Sequence, residues 1–236
     1  MPFYFDSTYL LVIAGLLLTF GSSLYVKSTF RKYSGLLTSR GITGAYAADT
    51  VLHGGGVYDV SVSRISGELT DHFDPRTNVI SLSESVYGSQ SAAAVGVAAH
   101  EAGHALQYAE GYAPIKARTA IIPVCNLAST LSSPLFLTGL IITSYIPDGS
   151  LGTSLMSLGI IAFSVAVIFQ LVTLPVEFNA SRRAIASLSS SGILTDDELD
   201  AARKVLRAAA LTYVAGLAAS LLQILRLILI SNRRNR

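Results

Sequence analysis

Charged residues and histidines are missing from four long stretches of this chain: Ser7 to Val26, Thr119 to Pro147, Gly149 to Val176, and Ala208 to Leu225. Each can hold an apolar helix of about 20 residues, the length needed to cross a bilayer. A fifth uncharged run, Ser85 to Ala99, is shorter and rich in Ala and Ser, and predicts a buried helix instead of a span. Between the first two gaps the pattern changes. Thr43 is placed to cap a short helix over Gly44 to Leu52, which ends at His53-Gly54-Gly55-Gly56. Val57 to Val62 alternates as a strand does, Leu69 to Phe73 predicts a second short strand, and Val79 to Leu82 a third. Ser66-Gly67 and Asp74 to Asn78 supply the turns. The Val79–Leu82 strand leads into the buried helix, and its expected place is the sheet edge, where it would pair with an extended peptide. Further on, Ser191-Gly192 breaks the chain, and Thr195 followed by Glu198 is a capping box opening the last helix.

Composition agrees with the membrane reading. The chain is 51% hydrophobic and 14% charged over 236 residues, against about 25% charged in a soluble domain. Lys27, Arg31, Lys32 and Arg40 follow the first gap and Asp6 precedes it. The positive-inside rule then predicts an external N-terminus and a cytoplasmic stretch from Lys27 on. Met1 to Asp6 carries no basic residue and no clear cleavage site precedes Lys27, so an uncleaved anchor is expected. The second and third gaps form a hairpin around Ile146 to Ser150, an external loop without Lys or Arg, which returns Glu177 to the cytoplasmic side. The fourth gap has Arg203, Lys204 and Arg207 before it and Arg233, Arg234 and Arg236 after it, two opposed demands; a crossing is favoured. Net charge is +2, with no basic patch interleaved with aromatics, so nucleic acid is not an expected partner. A single cysteine, Cys125, excludes an intrachain disulfide and a Cys-based zinc site.

The chemistry is concentrated in His100-Glu101-Ala102-Gly103-His104. Residues four apart share a helix face, so both imidazoles can reach one metal ion, and Glu101 beside them is placed as general base toward an attacking water. A catalytic zinc wants a third protein ligand. Glu110 lies six residues past His104, but Gln107 occupies the position where a turn glycine would be needed to bring it back. No acid occurs between Glu110 and Asp148, and the next is Glu177, just past the third gap. Glu177 is either a metal ligand or an interfacial carboxylate paired with Arg182 or Arg183. His72 is a candidate for contact with zinc or an oxyanion, or a surface turn residue. Asp71 and Asp74 read as turn residues, His53 as a helix cap, and Tyr108 and Tyr112 as packing residues.

Three segments carry a resemblance: His100-Glu101-Ala102-Gly103-His104-Ala105-Leu106-Gln107, Leu69 to Pro75, and Pro175-Val176-Glu177-Phe178-Asn179-Ala180-Ser181. Together they resemble the YugP-type membrane zinc metallopeptidases of bacteria, over nearly the whole chain. More distantly the order of motifs is similar to HtpX-type and CAAX prenyl proteases. The resemblance implies that Glu177 is the third zinc ligand and that the site faces the cytoplasm. The position four residues past that Glu, an Asp in the distant relatives, holds Ser181 here.

These readings combine into a mostly α membrane protein with a zincin-like α+β catalytic domain, a small β-sheet and three to four transmembrane helices. The expected divisions are an N-terminal anchor (1–26), the catalytic domain (27–120), a transmembrane hairpin (121–176), a cytoplasmic helical segment with the third ligand (177–206), and a C-terminal hydrophobic helix with a basic tail (207–236). The expected activity is zinc-dependent hydrolysis of peptide bonds, with Glu101 as base and His100, His104 and Glu177 holding one Zn²⁺ per chain. The partners are a protein or peptide substrate, membrane-associated or misfolded, and the lipid bilayer of a bacterial plasma membrane. The rival reading is a non-catalytic scaffold that keeps zinc for structure; the Glu beside two His argues against it, since a structural zinc is normally closed by four protein ligands.

Overall fold

A computed structural model describes residues 6–146 and 150–234. The elements follow the order α1 (Tyr9–Ser34), α2 (Gly44–Gly54), β1 (Ser61–Ile65), β2 (His72–Asp74), β3 (Val79–Ser83), α3 (Glu84–Tyr87), α4 (Ala92–Ala109), α5 (Ala113–Tyr145), α6 (Ser150–Ser191) and α7 (Asp196–Arg234). The chain divides into two compact units. One takes residues 1–22, 117–173 and 213–236; the other takes 23–116 and 174–212. Pro147 to Gly149, the centre of the expected external loop, lies outside the described residues.

The first unit is built from the apolar lengths of α1, α5, α6 and α7, four helices long and apolar enough to cross a membrane. The fourth gap thus belongs to one continuous helix of 39 residues. Many of its large apolar side chains point outward: Leu16 and Phe20 are 61% and 65% exposed. That is unfavourable in water and ordinary against lipid. Backbones approach closely where side chains are small. A Cβ added to Gly139 would stand 2.5 Å from the Gly152 carbonyl oxygen, so α5 and α6 meet backbone to backbone there. Arg233 pairs with Asp6 at 2.6 Å, joining the start of α1 to the last turn of α7.

The second unit has a conventional core. Ala47, Ala48, Val51 and Leu52 of α2 pack with the Ala-rich face of α4, over Ile80 and Leu82 of β3. Thr43 caps α2 as expected, its hydroxyl accepting from Tyr46 N–H. The other end explains why β1 starts later than the alternation suggested. Val57 N–H donates to Leu52 C=O and Gly56 N–H to His53 C=O, with Gly56 at φ +76°. This is a Schellman motif, so Val57 is committed to closing α2 and the strand begins only at Ser61. The second strand is likewise displaced, to His72–Asp74, because Leu69 sits at φ +54° and breaks any extended run there.

The sheet corrects one expectation outright. Its order is β1-β3-β2, with β3 parallel to β1 and antiparallel to β2. Val79–Leu82 is therefore the central strand, its ladder groups taken up on both sides, and it has no free edge to offer a peptide. The reason is topological: the β2–β3 turn at Pro75–Asn78 lays β2 on one side, and the longer excursion lets β1 take the other. The uncharged run before His100 also divides. Helix α3 stops at Gly88, and α4 starts afresh after Ser91, whose hydroxyl accepts from Ala94 N–H at 3.2 Å.

Candidate metal centre

Helix α4 brings His100 and His104 onto one face, their rings 4.7 Å apart edge to face. Helix α6 lies against that face within the same unit, and the contact requires glycine at position 103. A Cβ there would stand 2.6 Å from the Ala180 carbonyl oxygen, a backbone atom that cannot step aside. The approach carries Glu177 to the two imidazoles. His100 Nε2 lies 3.3 Å from Glu177 Oε2, and His104 Nε2 lies 3.6 Å from the same oxygen. One ligand atom from each of the three residues falls within 4.8 Å of the others. Glu177 and His104 are both buried. A carboxylate buried in this way needs compensation, and converging nitrogen donors that share a cation supply it. Burial disfavours charge on His104, yet the Glu177 carboxylate, with Glu101 and Gln107 adding to it, raises the imidazole's pKa above its ordinary value.

The far nitrogens of both rings are also engaged. His104 Nδ1–H donates to Gln107 Oε1 at 3.0 Å. The amide orientation follows from its other contacts: Gln107 Nε2 donates to Val176 C=O at 2.8 Å and to Asn179 Oδ1 at 2.9 Å. With both amide hydrogens used on acceptors, the carbonyl end must face His104, which leaves Nε2 as the ring's lone-pair nitrogen. His100 Nδ1 lies 3.1 Å from Ser181 Oγ. His104 therefore turns its lone-pair Nε2 toward Glu177, and the Ser181 hydroxyl holds the His100 ring with its Nε2 at the same carboxylate oxygen, the kind of outer contact that orients metal-binding histidines. The donor set, two imidazoles and one carboxylate, suits zinc.

Residues 8–232 match the family described as "Putative neutral zinc metallopeptidase". The chain belongs to this family. It is also similar to the "Putative membrane protease YugP" of Bacillus subtilis (strain 168), at 49% identity over 220 residues, 93% of this chain and 94% of that protein. No solved structure matches it.

For this zinc-peptidase family member, the remaining expected residues fall in definite places. Glu101 follows His100 on α4 and is half-buried; among the described residues it makes no hydrogen bond or ion pair. Glu110 is not in the cluster. It is the C-cap of α4, and the Arg183 guanidinium beside it holds its carboxyl below the usual carboxylate range. Arg183 Nε in turn donates to Asn179 Oδ1 at 2.7 Å. A polar chain thus runs Glu110, Arg183, Asn179, Gln107, His104. The ion pair once open to Glu177 is made by Glu110 instead.

His72 is exposed on β2, its Nδ1 beside Thr70 C=O, and stands outside the cluster. Asp71 does more than turn the chain: its carboxylate accepts from Ser83 N–H and Oγ–H at 2.8 and 3.0 Å, fastening the end of β3. Asp74 is paired with Arg76. His53 lies in the last turn of α2, stacked on Tyr58, and the cap itself is Gly55. Tyr108 packs edge-on against Phe73, and Tyr112 lies under Arg183. Gln107 and Asn179 were not singled out as functional from the sequence. The signal was available: Gln107 sits three residues after His104, the i, i+3 spacing from which a side chain can reach a ring nitrogen.

Proposed function

We propose that this protein is a membrane zinc metalloendopeptidase in which His100, His104 and Glu177 hold the metal and Glu101 is the general base. The observation that carries the reading is the convergence of two Nε2 atoms and one carboxylate oxygen, with each imidazole fixed through its other nitrogen. Zinc bound there supplies Lewis acidity toward a scissile carbonyl and makes a held water more acidic. Glu101 takes the attacking water's proton and passes it to the leaving amine, so it must be free of competing partners, as it is among the described residues. Ser181 and Gln107 keep the two rings from rotating, and the polar chain to Glu110 braces Gln107. Three protein ligands leave the fourth position to water or substrate, which favours hydrolysis over a closed structural site.

The substrates on this reading are protein or peptide chains at or in the membrane, and the metal centre faces the cytoplasm of the bacterial cell. The charge bias after α1 supports that orientation. Single cysteines at Thr50 and Ser150 on a Cys125→Ser background, treated with an impermeant thiol reagent in intact cells, should react at position 150 and not at position 50; the reverse pattern overturns it. The activity itself is tested by Glu101→Gln, which keeps all three proposed ligands. The purified variant should retain its zinc and lose cleavage of a protein substrate by 100-fold or more, of the order expected for a lost general base. Cleavage at the wild-type rate would remove Glu101 from its role.

A further inference from the structure

The second unit contains a cavity of about 610 Å³ whose wall holds none of the three proposed metal ligands. Tyr25 of α1, Phe178 and Arg182 of α6, and Arg203, Arg207 and Leu211 of α7 form much of its wall. The three helices reach it at corresponding points in their sequences. The charge-free stretches of α1, α6 and α7 end or begin at Val26, Val176 and Ala208, and every one of those six residues lies within nine positions of such a boundary on its own helix. The cavity thus sits where three apolar helices become charged, the level of a lipid headgroup.

Its lining is two-sided. Tyr25, Phe178 and Leu211 are large, apolar or amphipathic, and 44–52% exposed. Opposite in character are three guanidinium groups, and no carboxylate lines the cavity. Arg203 is engaged with Asp200, which also holds Lys204. Arg182 and Arg207 make no ion pair among the described residues; Asp200 acts on Arg207 only from beyond contact distance, so both forks have their donors open to a ligand. A guanidinium offers a planar fork of donors that matches phosphate oxygens. The volume is in the range of small-molecule sites.

We infer that this cavity is a binding site for one anionic phospholipid, its phosphate held by Arg182 and Arg207 and the upper part of its acyl chains laid along Tyr25, Phe178 and Leu211. A free phosphate would use the arginines and leave the apolar wall bare; a zwitterionic lipid would cover the wall and gain less from two guanidinium groups outside any ion pair. The inference does not depend on peptide hydrolysis. Ser181, which touches His100, is also on the cavity wall, so a seated lipid adjoins the helix that carries Glu177.

The test is native mass spectrometry of the full-length protein in mild detergent, titrated with dioleoyl phosphatidylglycerol or dioleoyl phosphatidylcholine. The expected result is one retained phosphatidylglycerol per chain, with phosphatidylcholine held at least tenfold more weakly. Arg182→Gln/Arg207→Gln should weaken phosphatidylglycerol by roughly tenfold or more, the loss of two surface cations near an anionic lipid, and bring it to the phosphatidylcholine level. Arg182→Lys/Arg207→Lys should recover part of the loss. Should the double Gln variant fail to fold, Leu211→Asp, at an exposed position, places a carboxylate on the apolar wall and should weaken the same lipid selectively. Equal retention of the two lipids by the wild type, or undiminished phosphatidylglycerol in the arginine or Leu211 variants, overturns the assignment. Displacement of the lipid by millimolar inorganic phosphate, or by a soluble acidic peptide, reassigns the cavity to that anion and equally overturns it.

Discussion

Polar side chains are used differently in the two units. Among the apolar helices most hydroxyls turn back on their own backbone: Thr143 Oγ1–H donates to Gly139 C=O at 3.0 Å, Ser144 to Leu140 C=O, Ser164 to Ile160 C=O and Thr173 to Phe169 C=O. Such bonds hide a hydroxyl within the helix that carries it and tie nothing else down. Around the metal centre polar groups instead reach across the sequence. Gln107 joins α4 to α6, Ser181 joins α6 to His100, and Glu198 accepts from Ser39 N–H while also closing its capping box with Thr195. The lesson is that the first unit keeps most of its hydroxyls inside single helices and joins helices through a few polar pairs such as Gln170–Ser220 and Arg233–Asp6, whereas at the metal centre a connected set of polar groups fixes the relative placement of α4 and α6. Apolar burial follows the same division. Thirteen residues of α4 are buried, whereas the apolar helices leave residues such as Leu16 and Phe20 for lipid to cover.

The contrast is broken most severely at Gly103. Replacing it by Val places Cβ and its branches against the Ala180 backbone, so α4 and α6 must separate. A loss of about 3 kcal/mol or more is expected from overpacking at a site that cannot relax, together with loss of zinc. Denaturant unfolding and metal analysis of the purified variant check this; a stable, zinc-replete Gly103→Val protein would show that the helices do not need to be so close.

A smaller effect is expected at Gln107. Gln107→Leu keeps the volume and removes the side-chain partner of His104 Nδ1 and Val176 C=O, while Asn179 Oδ1 keeps only Arg183 Nε. Zinc affinity should fall by roughly 10–100-fold, the usual consequence of removing the group that orients a metal-binding His. Competition with a zinc chelator measures it, and unchanged affinity would demote the Gln107 contact to packing. The smallest effect belongs to the apolar unit. Ser144→Ala deletes an exposed hydroxyl bonded only within α5. Stability should change by no more than about 0.5 kcal/mol, with zinc content unchanged. A large loss there would mean that Ser144, like Ser220 with Gln170, joins helices.

Much of this was legible in the sequence, and the reasons are local. The charge gaps located the apolar helices, Thr43 and the Thr195–Glu198 pair marked two helix starts, and the spacing of His100 and His104 put two imidazoles on one face. Each is a statement about residues within a few positions of one another. Glu177 became legible as a candidate ligand through family resemblance, since no local rule links it to a helix so far upstream. What stayed hidden was set by contacts between distant segments. That Val79–Leu82 would be central depended on which side β1 and β2 chose, and nothing within the strand encodes that. Gln107 looked like a missing turn glycine because its partners, Val176 and Asn179, arrive only when α6 packs on α4. Ser181 stood where distant relatives carry an Asp, and its hydroxyl reaches His100 all the same.

The central claim is that Glu177, and not Glu110, completes the metal centre. Zinc content of purified Glu177→Ala and Glu110→Ala proteins, compared with that of the wild type, tests it most directly. The account predicts that Glu177→Ala loses most of its zinc, because two imidazoles alone hold the ion far more weakly. Glu110→Ala should keep nearly all of it, since Glu110 acts only at the far end of the chain through Arg183, Asn179 and Gln107. Full zinc in Glu177→Ala together with loss in Glu110→Ala would contradict the assignment.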